Sequence, residues 1–188
     1  AHAIGHQVFI EKDDFRKAFG SCISNCVDGC YHGVVQAYVS SMQKTPSADL
    51  TRLVRECIEV GSESWKHFRQ CIHGLGHGFF NHPEMDLMSS SLSCRNLHMT
   101  SDRHKLNLQQ TCLGGLYMEH MHTYTMLNLD ELKEGLQEIC DFPKKSHYKA
   151  ELSICLNTLG EGLMFYTGND LKRSSEICNI LETADRED

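Results

Sequence analysis

The chain has 188 residues, of which 40% are apolar, with 10 cysteines, 12 histidines and a formal charge of −7. This length and apolar fraction are typical of one compact domain or a short repeat array and exclude wholesale disorder. The acidic balance argues against a nucleic-acid partner, and the lack of any apolar run of about 18 residues predicts no membrane span in this chain.

A glycine- and histidine-bearing segment recurs along the chain, with spacings of 41, 41 and 43 residues between its four cysteine-led copies, which indicates a repeat protein. A cysteine opens four of the five copies, and the first copy lacks it. The copies begin at Ala1 (AHAIGHQVF), Cys30 (CYHGVVQAYV), Cys71 (CIHGLGHGFF), Cys112 (CLGGLYMEHM) and Cys155 (CLNTLGEGLM).

A second segment alternates with the first, beginning at an aspartate and ending at a cysteine. Aspartate is a preferred N-cap because its carboxylate accepts from free backbone N–H groups of the first turn. In DLTRLVRECI the apolar residues recur at helical spacing. The segments begin at Asp14, Asp49, Asp86, Asp130 and Asp170 and end at Cys22, Cys57, Cys94, Cys140 and Cys178.

Each unit is therefore predicted to be a helix pair, a Gly- and His-bearing helix opened by cysteine and an Asp-capped helix closed by cysteine. We expect an all-α fold of tandem helix-hairpin repeats, an α-solenoid or a closed α/α ring, as a single domain of about five units over residues 1–188. The missing cysteine before Ala1 suggests that the native chain continues upstream as part of a larger protein.

The repeat register predicts disulfides between the closing cysteine of one unit and the next opening cysteine. Each would stabilise the fold by about 3 kcal/mol. Disulfides favour an extracytoplasmic location, whether secreted, periplasmic or extracellular. Cys26 and Cys178 are left over and either pair with each other or stay free. The predicted pairs are Cys22–Cys30, Cys57–Cys71, Cys94–Cys112 and Cys140–Cys155.

Positions +2 and +6 after the opening cysteine lie on one helix face, so a histidine at both can chelate one ion. In a curved array, equivalent positions face a common axis and side chains of several helices converge there. The in-helix glycines support close approach of backbones or room for a ligand. The pairs are His2 and His6, His32 and Gln36, His73 and His77, Gly114 and Met118, and Asn157 and Glu161.

These positions predict a central site for one or two transition-metal ions, copper, zinc or iron, because imidazole with a carboxylate suits all three. Glu161 is in addition a candidate general base beside a metal-bound water. The alternatives for the histidines are structural polar contacts and catalysis without a metal. The predicted ligands are His2, His6, His32, His73, His77 and Glu161.

The irregular ligand set across the units favours a metal-dependent enzyme, oxidative or hydrolytic, that acts on a small molecule. Two alternatives stay open. A metal-binding or sensing module without turnover would have a fully coordinated ion and no pocket beside it. A protein-interaction solenoid would bind a peptide on its concave face and hold no stoichiometric metal.

Overall fold

The structure is a computed structural model, and it describes residues 2–23, 28–42, 49–62, 64–97, 105–123, 139–145 and 149–184. Every regular element in these ranges is an α-helix, and they contain no strand, so the prediction of an all-α fold is confirmed. No helix within them is both long enough and apolar enough to cross a bilayer.

The Gly- and His-bearing segments lie in α1, α3, α5, α7 and α9, and four of the Asp-led segments form α2, α4, α6 and α10. The helices are α1 (His2–Lys12), α2 (Phe15–Gly20), α3 (Gly29–Ser40), α4 (Leu50–Val60), α5 (Trp65–Asn81), α6 (Leu87–Arg95), α7 (Lys105–His122), α8 (Asp141–Lys145), α9 (Lys149–Tyr166) and α10 (Leu171–Ala184).

Aspartate caps the helices of the second segment as predicted. The carboxylates of Asp14, Asp86 and Asp170 accept hydrogen bonds of 2.8, 2.7 and 3.0 Å from the backbone N–H three residues later. Asp49 occupies the N-cap position of α4 without a side-chain bond of this kind, and Asp130 lies outside the described residues.

The prediction that a cysteine opens each Gly- and His-bearing helix holds for α3, which begins beside Cys30, and is wrong for α5, α7 and α9. Those three helices begin about two turns before their cysteines. In α5 the cause is Ser64, whose side chain accepts from the backbone N–H of His67 at 3.4 Å and so starts the helix early.

The four predicted disulfides are confirmed, and each joins the end of one Asp-led segment to the next Gly- and His-bearing helix. Among the described residues Cys178 forms no disulfide, and Cys26 lies outside them, so the pairing of these two stays a prediction. The bridges Cys22–Cys30, Cys57–Cys71, Cys94–Cys112 and Cys140–Cys155 have Cα–Cα distances of 5.7, 5.4, 5.4 and 5.8 Å.

Contacts within the chain define two compact units, residues 1–116 and 117–188, and each is described by itself. In the first unit α3 packs against both α1 and α5, which makes it the central helix. In the second unit α9 packs against α8 and α10, and the buried Glu151 carboxylate accepts from the Tyr117 hydroxyl at 2.7 Å. The single domain over residues 1–188 stays a prediction.

Glycine lets α1 and α3 come into backbone contact. A Cβ atom on Gly33 would collide with the carbonyl oxygen of His2, and a Cβ atom on Gly5 would collide with the carbonyl oxygen of Cys30. Because these contacts involve backbone atoms, no side-chain movement can relieve them. The two helices therefore require glycine at both positions.

The contact between α5 and α7 repeats this arrangement. Gly115 faces the carbonyl oxygen of His73, and Gly76 faces that of Cys112. Counted from the opening cysteines, these four residues are equivalent to those that join α1 and α3. The same two helix-packing devices thus recur one pair of units later.

A different contact joins α3 and α5, where glycines of α5 face valine side chains of α3. A Cβ atom would lie 2.8 Å from the Val35 Cβ at Gly74 and 2.8 Å from the Val39 Cβ at Gly78. Within the second unit, Gly162 of α9 faces the Met121 side chain at positions equivalent to Gly78 and Val39. Backbone and side-chain contacts thus alternate from one pair of segments to the next.

Replacement of Gly115 by alanine is expected to lower the free energy of unfolding by about 1–3 kcal/mol, because the new Cβ would force α5 and α7 apart. Gly114→Ala is the matched control on the same helix. Its Cβ would lie 3.8 Å from the His73 ring, and alanine is the better helix former. Urea unfolding of both variants checks this, and equal stabilities would contradict the backbone contact.

Candidate metal centre

Four imidazoles from α1, α3 and α5 meet in the first unit. The ring of His32 lies with its centroid 5.6 Å from that of His2, 4.7 Å from that of His73 and 5.1 Å from that of His77. The His77 ring is in turn 4.9 Å from His2 and 5.0 Å from His73. One ring nitrogen each of His2, His32 and His77 lies within 4.8 Å of the other two. We call these four residues the histidine cluster.

The helix contacts explain why the imidazoles meet. Three members of the histidine cluster occupy position +2 of successive segments, and His77 occupies position +6 of the third. His32 is followed by Gly33, which lets α1 approach α3 at this level, and His73 is followed by Gly74, which lets α3 approach α5. The His–Gly dipeptide therefore places the imidazoles of His32 and His73 at points of close helix contact, and His2 lies opposite Gly33.

Burial keeps His32 and His73 neutral. The side chain of His32 is 7% exposed and that of His77 is fully buried. Burial, and then the neighbouring His77, lower the pKa of His32 to about 4. The pKa of His73 is also well below its ordinary value, because of burial and then of His77 and His32. At neutral pH both rings are uncharged, the protonation state in which imidazole binds a metal.

A chain of hydrogen bonds fixes the tautomer of His32. The Gln70 amide nitrogen donates to the Asp28 Oδ2 atom at 3.0 Å, so the Gln70 oxygen faces the His32 Nε2 atom, at 2.5 Å. Nε2 must therefore carry the proton and donate it, which leaves the lone pair at Nδ1. Asp28 is itself held by Lys66, with 3.1 Å between Nζ and Oδ1.

Sequence reasoning missed this outer layer of contacts. Gln70 directly precedes Cys71, and the equivalent Thr111, which directly precedes Cys112, bonds to His73 through its backbone. In both cases the residue before one opening cysteine holds the +2 imidazole of the preceding segment. The repeat register could have identified both residues, since it gives them the same position.

Two predicted ligands lie outside the histidine cluster. The His6 Nε2–H group donates to the Gln36 side-chain oxygen at 2.9 Å, one helical turn away from His2. Glu161 is on α9 in the second unit, with an exposed side chain. The roles of His6 as a ligand and of Glu161 as a ligand and general base stay predictions.

A cavity of about 370 Å³ borders the histidine cluster within the first unit. His32 and His73 form one part of its wall, and Trp65, Lys66 and Arg69 from the first two turns of α5 form another. Its volume is in the range of small-molecule sites in proteins. Sequence reasoning gave no indication of the three α5 residues.

The donor set of the histidine cluster consists of imidazoles alone, a set that suits zinc, copper, nickel and iron. Nitrogens that share a tetrahedral ion lie roughly 3.3 Å apart, since each is about 2.0–2.1 Å from the metal. The nitrogens of His2, His32 and His77 lie within 4.8 Å of one another, so they need to move closer by at most about 1.5 Å to reach this spacing, a change that side-chain rotation can supply.

In comparisons of this chain with known protein families, with curated proteins and with solved structures, no match is found. The assignment of function therefore depends on the residues themselves.

In the metal-free protein, His32 is expected to hold its proton on Nε2 at neutral pH. Long-range ¹H–¹⁵N NMR spectra of the imidazoles check this tautomer. Gln70→Leu removes the acceptor and should let the ring populate both tautomers, whereas Arg55→Gln, on the exposed side of α4, should leave the spectrum unchanged. A ring protonated at Nδ1 in the unsubstituted protein would contradict the hydrogen-bond chain.

Acid is expected to destabilise the metal-free protein through His32. The unfolded chain takes up the proton below pH 6.5, while the folded chain does so only near pH 4. Through His32, the free energy of unfolding is therefore highest above pH 6.5 and falls by roughly 3 kcal/mol as the pH is lowered towards 4. Urea unfolding in EDTA checks this between these limits. His32→Gln should show a shallower dependence, and an unchanged slope would contradict it.

Proposed function

We propose that this chain is a histidine-ligated metalloprotein that binds one transition-metal ion in its first unit and uses it to act on a small molecule. The observation that carries the proposal is the histidine cluster, in which four imidazoles of three helices lie with ring centroids 4.7–5.6 Å apart in five pairs.

The energetics of burial support a metal. An apolar core at the same place would need no polar side chains, whereas four buried or half-buried imidazoles lose hydration and repel one another when protonated. The lowered pKa values keep His32 and His73 uncharged at neutral pH, so the cost that remains is the lost hydration of the ring nitrogens. Coordination offsets this cost, because a metal ion takes the nitrogen lone pairs of several rings at once.

The chemistry of the donors favours zinc or copper. Eight cysteines are joined in disulfides and so offer no thiolate. Iron(II) sites with open positions commonly combine two histidines with a carboxylate, and the group of close donors within the described residues has only imidazoles. Three or four protein ligands are the usual complement of one such ion, so we propose a single ion rather than two.

The neighbouring cavity supports an enzyme. His32 and His73 belong both to the histidine cluster and to the cavity wall, so a molecule in the cavity would lie beside the ion. We propose His2, His32 and His77 as the three protein ligands of an ion with an open position, where bound water or substrate is activated. In this arrangement His73 lies at the cavity and is available to orient the reacting group.

A metal-holding module without turnover is the second candidate, and the fourth imidazole favours it. If His73 also coordinates, the shell is closed and no position remains for a substrate. The two candidates differ in whether an external ligand reaches the ion. Azide should change the visible spectrum of cobalt(II)-substituted protein only where a position is open.

The proposal includes the repeat architecture and the compartment. Equivalent glycine contacts between α1 and α3 and between α5 and α7 support tandem structural repeats. The four disulfides support an oxidising, extracytoplasmic environment, since such bridges are rare in reducing compartments.

Protein produced without a histidine tag and loaded with zinc or copper by dialysis is expected to contain about one ion per chain, measured by elemental analysis. His73→Ala combined with His77→Ala should remove the ion, because it deletes two of the four imidazoles. His67→Ala is the matched control, since this residue lies on the same helix outside the histidine cluster. His6→Ala should also retain the ion, because its ring bonds to Gln36.

Circular dichroism should show that all of these variants keep their helices, since the disulfides and the glycine contacts remain. Less than about 0.3 ion per chain in the unsubstituted protein would contradict the metal centre. Full metal content in the folded double variant would place the ion elsewhere.

A further inference from the structure

We propose that the cavity beside His32 and His73 binds a small molecule that combines an oxyanion, a carboxylate above all, with a planar apolar body. The role of this molecule as a substrate at the ion rests on the proposed function. Its binding at this place rests on the cavity alone.

Two cations of α5 face the cavity. Lys66 and Arg69 are three residues apart, a spacing that puts both on one side of the helix. Asp28 also lines the cavity, and Lys66 balances its charge at 3.1 Å. Arg69 forms no ion pair within the described part of the chain, so the cavity wall has one positive charge that no carboxylate there balances.

The formal charge of the chain is −7, so a cavity wall with two cations and one carboxylate is a local exception. Lys66 holds Asp28, whereas the charge of Arg69 is left to favour a negatively charged ligand.

The chemistry of Arg69 identifies the anionic group. Its planar guanidinium presents paired N–H donors that match the two oxygens of a carboxylate or of a phosphate. The cavity has one such surplus cation rather than a cluster of them. It therefore suits a singly charged carboxylate better than a doubly charged phosphate.

Trp65 supplies the apolar part of the recognition. Its side chain is 50% exposed although it lines the cavity, and the indole contacts the ring of Phe68, with centroids 5.1 Å apart. An indole in the wall of a cavity offers a stacking partner to a planar ring. Arg69 and Trp65 together therefore select for a carboxylate attached to such a ring.

The single tryptophan of the chain allows a direct test. Benzoate, which has both features, should change the fluorescence of Trp65 with saturation below about 10 mM. Acetate lacks the ring, benzyl alcohol lacks the charge and inorganic phosphate has a different anion, and each should bind at least about tenfold more weakly. Stronger binding of phosphate than of benzoate would overturn the carboxylate assignment.

Arg69→Gln should weaken benzoate binding by about tenfold or more, because it removes a charge-assisted hydrogen bond. Arg55→Gln is the control, since this exposed arginine lies on α4 and does not line the cavity. Equal affinities of the two variants, or no fluorescence response in the unsubstituted protein, would overturn the proposal.

The titration is run on both EDTA-treated and metal-loaded protein. Benzoate binding to a protein that takes up no metal would support the cavity and contradict the metal centre. Absence of benzoate binding to metal-loaded protein would overturn the cavity proposal and would not affect the metal centre.

Discussion

The contact of helix backbones at glycine determines the rest of the first unit. Where Gly33 meets the carbonyl of His2, and Gly115 that of His73, no side chain separates the two helices. Histidines beside such contacts lie between the helices, because they are on the helix face that packs against the neighbouring helix. The histidine cluster is thus a consequence of helix packing, and each of the four disulfides joins an Asp-led segment to the next Gly- and His-bearing helix.

Between the packed helices the imidazoles lose contact with water and gain contacts with particular residues. Burial lowers the pKa of His32 and His73, and the outer hydrogen bonds that Gln70 and the Thr111 backbone accept orient the rings. Outer contacts of this kind typically tune metal sites, since they fix the tautomer and the direction of the lone pair. The neighbouring cavity shares two of the same rings, which links the proposed ion to a place where a ligand can bind.

Much of the fold and of the histidine cluster could be predicted from the sequence, because a repeat shows the same weak pattern several times. One His-x-x-x-His pair says little, but its register with cysteine and glycine predicted the all-α fold, all four described disulfides and the positions of the four clustered histidines. The helix starts of α5, α7 and α9 were misplaced, and for α5 the reason is the local N-cap that Ser64 provides. Spacing does not encode the direction of a side chain. The sequence therefore did not predict that His6 bonds to Gln36, nor that a cavity lies at Trp65 and Arg69.

The most direct measurement of the central claim is X-ray absorption spectroscopy of the metal-loaded protein. Three or four imidazole nitrogens about 2.0 Å from the ion, with no sulfur neighbour, is the result expected of a centre built from the histidine cluster. A sulfur neighbour at about 2.3 Å, or a shell of oxygens without the scattering pattern of imidazole, would contradict it.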